Sequence, residues 1–92
     1  MKKEALHKKY SLKKKQDSFV LVLYNDDVNT FDHVIKTLVE VCGHDEYQAE
    51  QCAILTHFKG SCEIKTGSGE MLQSMCKALR TRGLKSEVEG YL

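Results

Sequence analysis

The run Phe19-Val-Leu-Val-Leu-Tyr24, followed at once by Asn25-Asp26-Asp27, constrains this chain more than any other stretch. Six apolar residues rich in β-branched and aromatic side chains favour a strand. Their near-continuous apolarity points to a central strand, covered on both faces or nearly so. Three short polar side chains at its end favour a turn, because Asn and Asp hydrogen-bond their own backbone. The same triplet concentrates two carboxylates and an amide at one point, an acceptor site that a cation or an ammonium group would satisfy. The expectation is that these residues both turn the chain and hold a ligand.

From that strand, residues 18–24, the rest follows in order. Asn29 or Thr30 can cap a helix, with Asp32 in its first turn favoured by the helix dipole. Phe31, Val34, Ile35, Leu38, Val39 and Cys42 recur at helical spacing as its apolar stripe, and Gly43 ends it. Asp45 with Gln48 forms a capping box for a second helix. Ala49, Cys52, Ala53 and Leu55 are expected on its buried side, with Phe58 near its end and Gly60 as terminator. His57 shares a face with Ala53, four residues earlier. Residues 61–66 alternate as a strand with Cys62 and Ile64 inward. Ser68 can cap a third helix striped by Met71, Leu72, Met75, Cys76 and Leu79, with Gly83 as its stop. Residues 84–89 form the last strand, with Leu84, Ser86 and Val88 on one face. The fold class is α+β, in the order β-α-α-β-α-β, with the helices gathered on one face of a small sheet.

Ninety-two residues support one modest core and no more. Residues 1–15 carry seven Lys against Glu4, a balance of +6, whereas the remaining seven basic and twelve acidic residues leave −5. Residues 1–17 therefore read as a flexible Lys-rich tail, and 18–92 as the domain. Clustered Lys can neutralise phosphates, but a solvated arm beside an acidic partner accounts for them as well, and no nucleic-acid partner is expected. The longest apolar run is far short of the ~20 residues of a membrane span, and no apolar signal region follows the basic start. No membrane association is expected and the cytoplasm is the default location. Cys42, Cys52, Cys62 and Cys76 form no C-x-x-C pair, so buried reduced thiols are expected rather than a metal site. His33 and His44 are expected at the surface.

Val20-Leu-Val-Leu-Tyr-Asn-Asp-Asp27, Phe31-Asp-His-Val-Ile35 and the stretch from Ala49 to His57-Phe-Lys-Gly60 together resemble the ClpS adaptor family. The resemblance covers residues 18–89. Its most specific part is the strand-Asn-Asp-Asp-helix paired, roughly thirty residues on, with a His-aromatic-x-Gly helix end. It implies a three-stranded antiparallel sheet with three helices, a fold shared with the C-terminal domain of the ribosomal stalk protein. It further implies a monomeric adaptor that binds substrates with a bulky hydrophobic residue at a free N-terminus and hands them to a Clp AAA+ unfoldase.

Carried over by position, the resemblance assigns Asn25, Asp27 and His57 to the substrate's α-amino group, with Asp26 adding negative potential. It assigns Val34, Ala53, Thr56 and Leu84 to a hydrophobic pocket with Phe31 at its mouth, and Glu70 and Lys77 to unfoldase docking. The chain departs from the family's pattern at Asn29-Thr30-Phe31, where Thr-Pro-Met is usual. It departs again at Ala53 and Thr56, where Met often and Val usually stand, and at Met75, where the family has a Lys.

Two other function classes remain. An enzyme would need a second His in reach, an oriented nucleophile or a phosphate loop; Gly67-Ser-Gly69 lacks the Lys-Ser/Thr of a Walker motif. No catalytic activity and no cofactor is expected. An interaction module of stalk-like fold without recognition of N-termini is the alternative, distinguished by indifference to a free amino group.

Overall fold

The computed structural model describes residues 18–90. The expected tail at 1–17 and the last two residues lie outside that range. The element order is β1 (Phe19–Tyr24), α1 (Phe31–Cys42), α2 (Glu46–Lys59), β2 (Ser61–Gly67), α3 (Gly69–Thr81) and β3 (Lys85–Gly90). The three strands form one sheet in the order β2-β1-β3, antiparallel at both junctions.

β1 is central, as its apolarity requires. Leu21 and Leu23 join the main core with Leu38, Ile64, Leu72, Leu79 and Leu84. Val20 and Val22 point to the opposite side by the strand's period of two and are buried there too. The register with β2 shifts between Leu21 and Val22, a bulge that interrupts the alternation of residues 61–66. Ile64 is buried and Cys62 is half-buried, both against the core.

The helices start where the sequence caps them. Thr30 Oγ1 accepts from His33 N, Asp45 and Gln48 close a reciprocal capping box, and Ser68 Oγ accepts from Met71 N. Each such cap contributes about 1 kcal/mol. α3 touches all three strands, α2 covers β2, and α1 packs chiefly on α2. Ser86 faces the core beside Leu84 and Val88 and is satisfied there by Cys76, whose thiol meets its hydroxyl at 3.3 Å.

Three expectations need correction. Leu55 is 43% exposed and is not part of the buried side of α2, which consists of Ala49, Cys52, Ala53 and Thr56. The α2 stripe is built of small residues, so larger apolar neighbours on other faces mimic it in the sequence. In α1, Val39 sits at the edge of the stripe while Thr37 is fully buried. His33 and His44 are half-buried and bonded rather than free at the surface: His33 meets the Arg82 carbonyl and His44 the Ile64 carbonyl.

Candidate functional site

The loop between β1 and α1 is built by Asp26. Its Oδ1 accepts from the backbone N–H of Val28 at 2.9 Å and of Asn29 at 3.0 Å, and its Oδ2 accepts from Asn29 Nδ2 at 2.9 Å. This is the Asx turn expected of the triplet, with both carboxylate oxygens engaged. Partial burial works against the charge, but these three bonds and the nearby Lys85 hold the carboxyl below the usual aspartate value of 3.8.

Two helix ends anchor that loop. Asn25 N–H donates to the Gly60 carbonyl at 3.0 Å, tying the end of β1 to the end of α2. Asn29 Nδ2 donates to the Gly83 carbonyl at 2.9 Å, tying the loop to the turn after α3. Both glycines take positive φ, 98° and 89°, which only Gly adopts without strain. His33 Nε2–H donates to the Arg82 carbonyl at 2.8 Å, and the Arg82 guanidinium pairs with Glu40. The turn that delivers Leu84 is thus held from α1 on one side and from the loop on the other.

α2 supplies the opposite wall. Ala53, Thr56 and His57 fall on one face at i, i+3 and i+4. The His57 ring lies edge-on between Phe31, 5.5 Å away by centroids, and Phe58, 4.8 Å away, at interplanar angles of 74° and 85°. Such contacts fix the ring while leaving its two nitrogens available.

A cavity of about 210 Å³ opens between these elements. Its floor is formed by the buried Leu23, Ala53, Thr56 and Leu84, with Val34 half-buried at the side. Asn25, Phe31 and His57, all exposed, stand at its mouth, with Asp26 and Asn29 in the bordering loop. The structure thus brings together Asn25, Asp26 and His57 with Phe31, Val34, Ala53, Thr56 and Leu84. Asp27 is not among the lining residues; it is exposed, one position further along the loop. Glu70 and Lys77 are exposed on α3, away from the cavity, with Glu70 in the helix's first turn.

The polar groups divide by occupation. Asp26 has both carboxylate oxygens engaged within the loop, and Asn29 Nδ2 is shared between Asp26 and the Gly83 carbonyl. Among the described residues, no hydrogen bond engages the Asn25 side-chain amide, the Asp27 carboxylate or the His57 ring nitrogens. Thr56 Oγ1 is buried and unpartnered. No group of three or more His, Cys, Asp or Glu among the described residues could hold a metal ion, and no described helix is long and apolar enough to cross a membrane.

Sequence reasoning missed Asn29 and His33 as positioning residues. Asn29 carried a local signal, lying three residues after Asp26 as the second half of an Asx turn. His33 carried none, because its partner is 49 positions away.

The fold also occurs among solved structures. The chain is similar to Agrobacterium tumefaciens ClpS2, solved bound to L-phenylalaninamide, with a TM-score of 0.75 at 20% identity, over 82% of this chain and 98% of that one. No curated protein matches the chain. A family model described as the ATP-dependent Clp protease adaptor protein ClpS matches residues 14–87, from ahead of β1 into β3. With the loop, both anchoring helix ends and the cavity inside that span, the chain belongs to the ClpS family of Clp protease adaptors.

Proposed function

We propose that this chain binds the free α-amino group and the bulky hydrophobic first side chain of substrate proteins, as a monomer, and delivers them to a Clp AAA+ unfoldase. The observation that carries the reading is the division of polar groups around the cavity. Asp26 is consumed in building the loop, while Asn25 and His57 at the mouth of the cavity, and Asp27 one position further along the loop, keep their acceptors available.

An α-amino group with a pKa near 8 is mostly protonated at pH 7 and offers three donors. An amide oxygen, a carboxylate and a neutral imidazole nitrogen accept all three, and the positive charge makes such bonds roughly twice as strong as neutral ones. An internal peptide or an acetylated terminus lacks the charge and leaves acceptors unmatched, which gives discrimination. The cavity of about 210 Å³ beside the acceptors receives the first side chain. Agrobacterium tumefaciens ClpS2, of the same fold, is bound to L-phenylalaninamide, and this supports the same ligand class here. The role involves binding and transfer of a substrate, with no catalytic step.

Fluorescence anisotropy tests this directly. A short peptide beginning with Leu or Phe is expected to bind and its N-acetylated form to fail. Asp27→Ala and His57→Ala are each expected to weaken binding by about 1–3 kcal/mol, roughly 5- to 150-fold. Equal affinity for the free and acetylated peptides would remove the amino-group role.

A further inference from the structure

Cys42, Cys52, Cys62 and Cys76 are all free thiols, and binding of an N-terminus uses none of them. Two of the four, Cys52 on α2 and Cys62 on β2, meet where the helix packs on the strand. They lie on either side of the Gly60 turn that brings β2 back against α2. The Cys52 thiol donates toward the Cys62 sulfur, and Cys62 Sγ in turn donates to the Glu63 carbonyl at 3.5 Å.

The two differ in access. Cys52 is 5% exposed, within the core beside Cys42, whereas Cys62 is half-buried next to the exposed Glu63. Their acidities diverge in the same sense. The bond from Cys52 holds the Cys62 thiol below its usual 9.0, while that bond and burial push Cys52 up. Burial raises Cys42 to about 11, and the Cys76 thiol is buried against the Ser86 hydroxyl and carbonyl. A partly exposed thiol with a second thiol against its sulfur is suited to attack from outside and resolution from within.

We infer that Cys62 is a site of thiol–disulfide exchange with small disulfides of the glutathione class, and that Cys52 resolves the adduct into a Cys52–Cys62 bond. The Cys62 thiolate attacks one sulfur of the small disulfide, whose S–S bond breaks. A mixed disulfide forms on Cys62 and one small thiolate leaves, taking up the proton Cys62 gave to solvent. Cys52 then loses its proton and attacks the Cys62 sulfur; the mixed disulfide breaks and the second small thiol leaves protonated. Two protein thiols are oxidised by two electrons in all, and one small disulfide is reduced to two thiols. The new bond ties β2 to the helix that carries Ala53, Thr56 and His57.

The test exposes the reduced full chain to oxidised glutathione under native conditions. Remaining thiols are alkylated in denaturant, and mass spectrometry of the digested protein assigns each cysteine. Wild type is expected to lose two thiols and gain one Cys52–Cys62 bond, with Cys42 and Cys76 alkylated. Cys52→Ala should instead hold glutathione on Cys62, and Cys62→Ala should keep its three thiols. Cys42→Ala should behave as wild type does. Where a variant fails to fold, the wild-type map decides alone. Wild type with Cys62 unreacted, with a lasting adduct there, or with a bond to Cys42, Cys76 or a second chain overturns the proposal. Equal reaction of all four thiols in the native protein overturns it too, because unfolding rather than the Cys52–Cys62 contact would then set reactivity.

Discussion

Asp26 and Asp27 are adjacent carboxylates held in different states by their surroundings. Three donors converge on Asp26, two of them backbone N–H groups that the chain must satisfy to turn, whereas nothing in the described structure meets Asp27. Because the folded pKa of Asp26 lies below its unfolded value, its charge stabilises the fold above pH ~4. That contribution is lost as pH falls from 3.8 through the lower folded value. Asp26→Asn keeps one acceptor but sets an amide against the Asn29 amide, donor to donor. The loop is solvated, so a loss at the low end of the hydrogen-bond range is expected, about 0.5–1 kcal/mol at pH 7. Thermal melts should show the gap between wild type and variant at pH 7 and show it narrowing toward pH 3. A gap independent of pH would mean that the charge on Asp26 does nothing for the loop. Asp27→Asn, by contrast, should leave the melting temperature where it is. The triplet was legible in the sequence as a turn with surplus acceptors. Which aspartate does which task follows from the bonds of Asn29, three residues after Asp26, a local spacing that fits an Asx turn on Asp26 as well as the helix cap expected of Asn29.

Secondary structure was legible because its signals are local. Thr30, the Asp45–Gln48 box and Ser68 mark the helix starts within a few residues of chain, and the apolarity of β1 announces its central place. The links between elements were not legible, being made by polar groups far apart in sequence, such as Asn29 to Gly83 and His33 to Arg82. These links give the turn after α3 its purpose, since Leu84 enters the pocket from it. Gly83→Ala forces an Ala into φ 89°, and its Cβ would meet only Asn29 Oδ1 at an ordinary 3.8 Å, so the cost is backbone strain of about 1–2 kcal/mol. Relief of that strain moves Leu84, so peptide affinity is expected to fall along with stability. Gly43→Ala provides the control: its φ is 72° with open space around it, at the far end of α1 from the cavity. It should lower the melting temperature comparably and leave peptide affinity unchanged. Equal losses of affinity in both variants would attribute them to general destabilisation.

Across the molecule, α3 separates two surfaces. Its 13 residues span about 20 Å, with Glu70 in the first turn and Leu84 just beyond the other end. Lys77 lies seven residues after Glu70, two turns along and so on the same exposed side. A partner seated on Glu70 and Lys77 would leave the mouth of the cavity open, as delivery of a bound substrate requires. Glu70→Ala combined with Lys77→Ala is expected to weaken association with the Clp unfoldase several-fold, measured by pull-down or anisotropy, while peptide affinity stays at the wild-type value. A parallel loss of peptide affinity would mean that the two surfaces are not independent.

The loop at the cavity's mouth is closed by its own groups: the Asp26 carboxylate to two backbone amides and the Asn29 side chain, the Asn29 side chain to the Gly83 carbonyl, and the Asn25 backbone N–H to the Gly60 carbonyl. Each residue ordered there costs conformational entropy, on the order of 1–2 kcal/mol of backbone freedom. In this chain that entropy is lost when the protein folds and is not lost a second time at each encounter with a ligand. A preorganised receptor of this kind keeps more of its contact energy as affinity. It also suits a short ligand, since one amino group and one side chain make too few contacts to order a loop as well.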